Sequence, residues 1–318
     1  IKVKVVAKKQ VRIMLRVTVF RRSVSNSAFK DSQAKINEFL TYHSTPASLK
    51  PWIYRPKNAN TLLSMDLKDP TTNAPLQPRQ PVKPLNRKVL NDYIWTAPSS
   101  AELLNLLTQW TSITTRKRAV WDYFSPQHVQ NILIATFFRL GQYSSFVQLL
   151  YSQRKKFITA ENADIYNIEQ FFNTIVMCQL QRSAVVQYKD IPTAGKKLVN
   201  AWERVIHKEN KTGLANLLVN AFQRQQGTNV QIDLPKVDVN LPTIDIGSKN
   251  NGKLASFITE HKNIYLIART ILDFGESDEA VTKFVQEYQN ITSKLGRPDI
   301  YDQYVSNLKQ LLEKKKDE

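Results

Sequence analysis

The triplet Asp273-Phe274-Gly275 has the order that places a carboxylate on magnesium in a phosphotransfer site. Such a site also needs a glycine-rich loop ahead of it and a His-Arg-Asp catalytic loop. This chain of 318 residues has eight glycines, no two closer than five positions, and no His-Arg-Asp run. A second candidate, "IPTAGKKL", looks like a phosphate loop, but Asp190 stands where the first glycine belongs and Lys197 where a Ser or Thr should meet the metal. The four histidines, His43, His128, His207 and His261, sit on separate segments, none with a second His or Cys at metal-ligand spacing. A histidine without an oriented partner contributes little acid–base chemistry. The single cysteine, Cys178, lies in the apolar run "FFNTIVMCQL" and reads as a small core residue. These residues point to no enzyme, no metal, no cofactor and no small-molecule substrate.

Positive charge is the chemistry that remains. Lys and Arg outnumber Asp and Glu by 45 to 27, a net charge of +18, and such an excess favours polyanions as partners. Its distribution is uneven: residues 1–30 carry +9 with no acid, 31–100 carry +4, 101–210 carry +5, and the remainder is neutral. The first thirty residues lack Pro and Gly and are too few for a core, so they read as an arm. Like charges repel within such an arm, and a polyanion is the partner most able to hold it. Phosphate backbone does so by releasing condensed counterions. The expected RNA contacts on the arm are Lys2, Lys4, Lys8, Lys9, Arg12, Arg16, Arg21, Arg22 and Lys30. From Met14, "MLRVTVFRRSVSNSAF" also has the Arg-rich, Ser-containing, acid-free character of a mitochondrial presequence, which implies the mitochondrial matrix. Met14 stays open as an alternative start. Two further clusters, Arg116, Lys117, Arg118 and Arg154, Lys155, Lys156, extend the candidate RNA-binding set, and both also fit the plainer reading of solvated helix ends.

The elements that must position these charges read as helices. After the arm, "DSQAKINEFLTY" places Ile36, Phe39 and Leu40 on one side. Between Ser44 and Ser99 lie nine of the fourteen prolines, which forbids a continuous helix. Interleaved Trp52, Ile53, Tyr54, Leu62, Leu63, Leu67, Tyr93, Ile94 and Trp95 argue against a disordered linker. The segment is expected to lie extended along a surface, its own or a neighbour's, with short helices at "NANTLLSMDL" and "NRKVLNDY". From Ser99 onward helices dominate: Ser99 and Glu102 have capping-box spacing, and Ser125-Pro126 opens "SPQHVQNILIATFFRLG". Helices are also expected at "DIYNIEQFFNTIVMCQLQ", "TAGKKLVNAWERVIHKE", "LANLLVNAFQRQ" and, opened by Pro298, "RPDIYDQYVSNLKQLLEKKK". There the final Lys314, Lys315 and Lys316 complement the helix dipole. One interruption, "VQIDLPKVDVNLPTIDI", alternates through Val230, Ile232, Leu234, Val237, Val239, Leu241, Ile244 and Ile246 and reads as extended chain. Its acidic face suits a protein neighbour; a loop folded over its own helices is the alternative. No apolar run approaches the roughly 18 residues of a spanning helix, so no transmembrane segment is expected.

Aligning "LIATFFRLGQYSSFVQLL" with "IARTILDFGESDEAVTKF" puts Leu140-Gly141 and Phe274-Gly275 in one place. In that register Gly275 is expected to be a left-handed helix terminator and Asp273 merely a polar residue of the last turn. The predicted fold class is all-α: an irregular, repeat-like array of antiparallel helical hairpins. The chain divides into a basic arm (1–30), a Pro-rich wrapping segment (31–98) and a helical hairpin domain (99–318) with an extended insertion at about 229–247.

The two hairpins, Pro126 to Ser152 and Ile264 to Tyr288, resemble tetratricopeptide and pentatricopeptide units, although their turn glycines are 134 positions apart rather than about 35. The acid-free arm, the segment "SLKPWIYRPKNANTLLSMDLKDP" and the catalytically empty helical body resemble a mitochondria-specific protein of the fungal mitochondrial ribosome, small subunit. That resemblance implies a permanent structural subunit held by ribosomal RNA and neighbouring mitochondrial ribosomal proteins. Two other readings remain: a mitochondrial RNA-binding helical-repeat factor that activates translation or matures a messenger, and a peripheral inner-membrane assembly factor held by its arm.

Overall fold

In the first helix, α1 (27–44), the spacing of apolar residues dictates which face is covered: Phe29, Ile36, Phe39 and Leu40 are all buried, at near-helical intervals. The computed structural model describes residues 27–69, 73–186, 191–244, 247 and 250–314. Eight expected RNA contacts, Lys2, Lys4, Lys8, Lys9, Arg12, Arg16, Arg21 and Arg22, lie outside the described residues, as do Lys315 and Lys316. Helices are the only regular secondary structure among the described residues, which hold no strand and only two isolated bridges, Lys68 with Pro75 and Asn167 with His207. The all-α class is therefore observed. Two compact units divide at Phe124 and Ser125.

In the first unit α1 packs its aromatic face on a ring cluster. Phe39 lies 5.2 Å from Tyr123 and 6.0 Å from Trp110, and Trp110 stacks on Tyr123 at 5.7 Å. The Pro-rich stretch folds onto its own small core rather than leaving its aromatics unaccompanied. Short helices α2 (Lys50–Ile53) and α3 (Ala59–Ser64) bury Ile53, Tyr54 and Leu62, around which Tyr42, Trp52, Leu67, Leu76 and Val82 pack. Backbone bonds fasten the returning chain: Arg79 N donates to Ile53 O at 2.7 Å and Leu76 N to Leu67 O at 2.7 Å. Helix α4 (Arg87–Thr96) is capped by Asn86, whose side chain accepts from Lys88 N at 2.8 Å. Helix α5 (Ser100–Ser112) begins after Ser99, but the expected capping box does not form. Glu102 instead accepts from Gln33 of α1 at 3.4 Å, a tertiary partner that draws its side chain away from the helix end. The unit closes with the single turn α6 (Arg118–Trp121).

The second unit is organised by one helix buried nearly all round. Helix α7 (Pro126–Ala135) continues into a π turn, Thr136–Leu140, and α8 (Tyr143–Thr159) returns from it. A second π turn, Ile168–Phe172, leads into α9 (Asn173–Val185), which buries every residue from Asn173 to Gln181. A helix apolar on one side only could not do this; α9 carries Thr174 and Gln181 inward, and both are paired with neighbouring helices. Gln130 Nε2 donates to Thr174 Oγ1 at 3.1 Å, and Asn263 Nδ2 donates to Gln130 Oε1 and Asn131 Oδ1, both at 3.0 Å. The remaining helices are α10 (Ile191–Trp202), α11 (Leu214–Gln226), α12 (Asn251–Glu260), α13 (Lys262–Phe274), α14 (Glu279–Lys294) and α15 (Ile300–Lys314). Among them α13 and α14 stack Tyr265 on Tyr288 at 3.9 Å, and α15 lays Tyr304 on Phe138 of the first π turn at 5.4 Å.

The two aligned glycine turns differ. Gly141 has φ +80 and is followed by Gln142 at φ +58. Gly275 is not left-handed: its φ is −105. It is needed because α13 ends hard against α11, where a Cβ would sit 2.9 Å from Ile271 O and 3.2 Å from Ala221 Cβ. Asp273 occupies the last turn of α13 as expected, and its carboxylate accepts from the Tyr301 hydroxyl.

The alternating segment, described over 228–244, has no regular secondary structure and is clipped to its own unit. Asn240 N donates to Thr212 O at 3.1 Å, Asn210 Nδ2 to Pro235 O at 3.1 Å, and Gln223 Nε2 to Val230 O. Val230, Ile232, Leu234, Val239 and Leu241 are half-buried, whereas Val237, expected on the same face, is 44% exposed. Pro235 and the clip at Asn240 break the alternation between them. Gly213 has φ +73, and a Cβ there would lie 2.9 Å from the carbonyl oxygens of Val237 and Asp238.

The start of α15 is fixed by Asp299. It accepts from Tyr265 at 2.5 Å, Gln289 at 3.2 Å and the Tyr301 amide at 2.8 Å, and pairs with Arg269 at 3.0 Å. Burial alone would raise the Asp299 carboxyl, but the Tyr265, Tyr301 and Gln289 hydrogen bonds and the Arg269 charge together hold it below its ordinary value. A carboxyl depressed in the fold contributes fully above the ordinary range and loses that contribution as pH falls through its lowered value. Asp299→Asn is expected to cost about 2 kcal/mol at neutral pH and to flatten the acid side of the stability profile, read by urea unfolding across pH. Equal acid sensitivity in variant and parent contradicts it. Gly213→Ala, strained and in collision with backbone, is expected to lower the thermal midpoint and to speed proteolysis within 228–244; an unchanged cleavage rate contradicts the clip.

Candidate nucleic-acid interface

Residues 114–118 form a tight turn that the core beneath holds in place. Trp121 and Val120 are fully buried, Trp121 Nε1 donates to Thr114 O at 3.2 Å, and Lys117 N donates to Thr114 O at 3.1 Å. Arg116 and Arg118 are exposed and Lys117 is half-buried. The aromatics that the sequence places beside this triplet, Trp121 and Tyr123, serve the core rather than a base-stacking surface.

Lys117 does not act alone. Its charge reaches Lys50, at the start of α2, and His43, near the end of α1. The His43 ring packs on Phe39 at 4.5 Å and meets Tyr42 edge-on at 5.2 Å, while Lys50 Nζ sits 4.0 Å above the Tyr42 ring. Burial, then Lys50, then Lys117 push the His43 pKa below its ordinary value, so the imidazole is neutral near pH 7. Burial and then Lys117 lower Lys50 as well. Behind burial itself, the charges that lower His43 and Lys50 are those of Lys50 and Lys117. The Lys50 and Lys117 charges are thus gathered on one surface with an aromatic beneath, an arrangement suited to phosphate. Sequence reading singled out Lys117 but missed Lys50 and His43. Both look ordinary in their own segments, and only the return of the Pro-rich chain brings them together.

The other expected contacts fare differently. Lys30 is exposed on α1. In the second unit Lys155 and Lys156 are exposed on α8, but Arg154 is committed to the fold: its Nε donates to Arg204 O at 3.1 Å. The Arg204 guanidinium lies 5.0 Å over the Tyr151 ring and pairs with Glu203 at 3.2 Å. Lys208, not singled out in the sequence, lies 4.8 Å over Trp202.

The residues that looked catalytic have structural tasks. Gly195 of "IPTAGKKL" lies inside α10, where a Cβ would meet Val230 at 2.9 Å. His128 caps α7, its Nδ1 accepting from Ser125 N at 3.0 Å. His207 lies 3.1 Å from Asp164 on the surface, and His261 packs on Phe257 at 4.6 Å. Among the described residues no three His, Cys, Asp or Glu groups gather as a metal site, and no helix is long and apolar enough to cross a membrane. For the cationic cluster, Lys50→Gln is expected to raise the His43 titration midpoint, and Lys117→Gln to raise it less, in histidine-resolved NMR titrations. A midpoint unmoved by either change contradicts the cluster.

Comparison with known protein families matches both parts of the chain: residues 7–96 match the MRP13-like N-terminal domain and residues 99–318 the MRP13-like C-terminal domain. Together with a basic, helical chain whose histidines and glycines serve packing and capping, these matches fix the assignment: the chain belongs to the MRP13-like family of mitochondrial ribosomal proteins.

Proposed function

We propose that this protein is a structural, non-catalytic component of the small subunit of a fungal mitochondrial ribosome, working in the matrix. It binds ribosomal RNA through the arm residues Lys2, Lys4, Lys8, Lys9, Arg12, Arg16, Arg21 and Arg22 and through Lys30. Arg116, Lys117, Arg118, Lys155 and Lys156 add further contacts, with Lys50 joining Lys117. Neighbouring ribosomal proteins meet the helical body, above all its charge-neutral part beyond residue 210. The observation that carries this reading is the gathering of Lys50 and Lys117 about His43, with Lys50 over the Tyr42 ring, within a ribosomal protein family. Such a cluster positions a chain on phosphate without reading base sequence.

The test is sedimentation of mitochondrial ribosomes in rising salt. The parent chain is expected to stay with the small subunit, and Lys50→Glu with Lys117→Glu to dissociate at lower salt. For isolated RNA binding, the salt slope is expected to fall by about one for each phosphate that the variant no longer neutralises. Release of the parent chain from both subunits at moderate salt supports a messenger-binding factor instead. Sedimentation with the large subunit overturns the subunit assignment.

A further inference from the structure

A cavity of about 280 Å³ opens between α8, α9 and α10, near the lower end of the roughly 300–1,000 Å³ range of small-ligand sites. None of the residues lining it is acidic, yet Arg182 and Lys197 both border it. Arg182 Nη1 has one weak contact there, donating a 3.4 Å hydrogen bond to Ser144 Oγ. Burial and the Arg182 charge lower the pKa of Lys197, so the two cations are close enough to repel. An anion seated between them relieves that repulsion.

The inner walls are of another kind. Tyr143 and Tyr151 line the α8 side and fully buried Cys178 the α9 side. Gln179 also lines the cavity; it is only 8% exposed, and its Oε1 accepts no hydrogen bond from the chain. A buried acceptor left without a donor costs about 1–3 kcal/mol, a cost that a ligand presenting an N–H removes. The occupant therefore needs an anionic end for Arg182 and Lys197, a flat apolar body for the tyrosines and a donor for Gln179. An acidic side chain supplies only the first. A nucleotide supplies all three, because bases stack on aromatic rings and carry N–H groups on their edges.

We propose that this cavity binds one nucleotide, its phosphate at Arg182 and Lys197 and its base against the tyrosine-bearing α8 wall with an N–H on Gln179. The proposal rests on the ribosomal reading for the source of that nucleotide: one extruded from RNA, with a free mononucleotide as the other source.

Photo-cross-linking of intact mitochondrial ribosomes, followed by mass spectrometry of the peptides, tests it. An adduct of an RNA-derived nucleotide on Tyr143 or Tyr151 is expected without added ligand. Labelling of the same tyrosines only after addition of an azido-adenosine monophosphate supports the site and identifies the free nucleotide as its source. In Gln179→Leu combined with Lys197→Gln, in chains that still sediment with the ribosome, the adduct is expected to fall about tenfold or more. No nucleotide adduct at either tyrosine from either source overturns the proposal, as does a polypeptide cross-linked there. RNA adducts at Lys50 and Lys117 separate the two claims: present without a cavity adduct, they leave the ribosomal reading standing while the nucleotide site falls.

Discussion

Lys50 and Lys117 repel each other and press on His43, and the fold holds them together nonetheless. Both ammonium groups are partly in water, which screens their repulsion. Beneath them Phe39, Trp110 and Tyr123 form one ring cluster, and each large apolar side chain fully buried contributes about 1.5–3 kcal/mol. The core outweighs the repulsion, so the cationic surface persists in the unbound chain as stored electrostatic cost. A polyanion that docks there is favoured twice, by its own attraction and by relief of that cost. The Pro-rich segment, which a linker reading would discard, is what brings Lys50 to Lys117 by folding onto Ile53, Tyr54 and Leu62.

The second unit obeys a different constraint. Helix α9 has no solvent face along most of its length, and its Thr174 and Gln181 side chains find partners on α7, α13 and α15. Gln181 donates to Thr270 at 3.0 Å and to the Tyr301 hydroxyl at 2.6 Å. These bonds fix which helix lies beside which more sharply than apolar contact alone, because a misplaced neighbour leaves a buried polar group unpaired. Asp299 extends the same principle to the C-terminal helix. Asn173 and Gln179 are the exceptions on α9, each with a buried amide atom that has no partner within the chain.

Much of this was legible in the residues. The spacing of Ile36, Phe39 and Leu40 marked α1, Ser125-Pro126 marked the start of α7, and the prolines confined helices in the wrapping segment to short pieces. These signals are local, and local geometry answers them. What failed was each reading that depended on a distant neighbour. Ser99 and Glu102 have the spacing of a cap, but Gln33 takes the carboxylate. Gly275 resembles a left-handed terminator, but its lack of a side chain answers the approach of Ala221. Val237 keeps the alternation in sequence and loses it where Pro235 and the Thr212 clip redirect the chain. The candidate interface divides along the same line: a triplet such as Arg116 to Arg118 can be seen in sequence, whereas its extension to Lys50 needs the fold. Nothing local distinguishes Arg154, which braces Arg204, from exposed Lys155 beside it.

The central claim is that the cations gathered in the first unit are answered by nucleic acid. The most direct measurement is a side-chain-resolution density map of the assembled mitochondrial ribosome around Lys50 and Lys117. The account expects RNA phosphate oxygens within about 4 Å of both ammonium groups, the distance of an ion pair. Acidic protein side chains in those places, or open solvent, would contradict it.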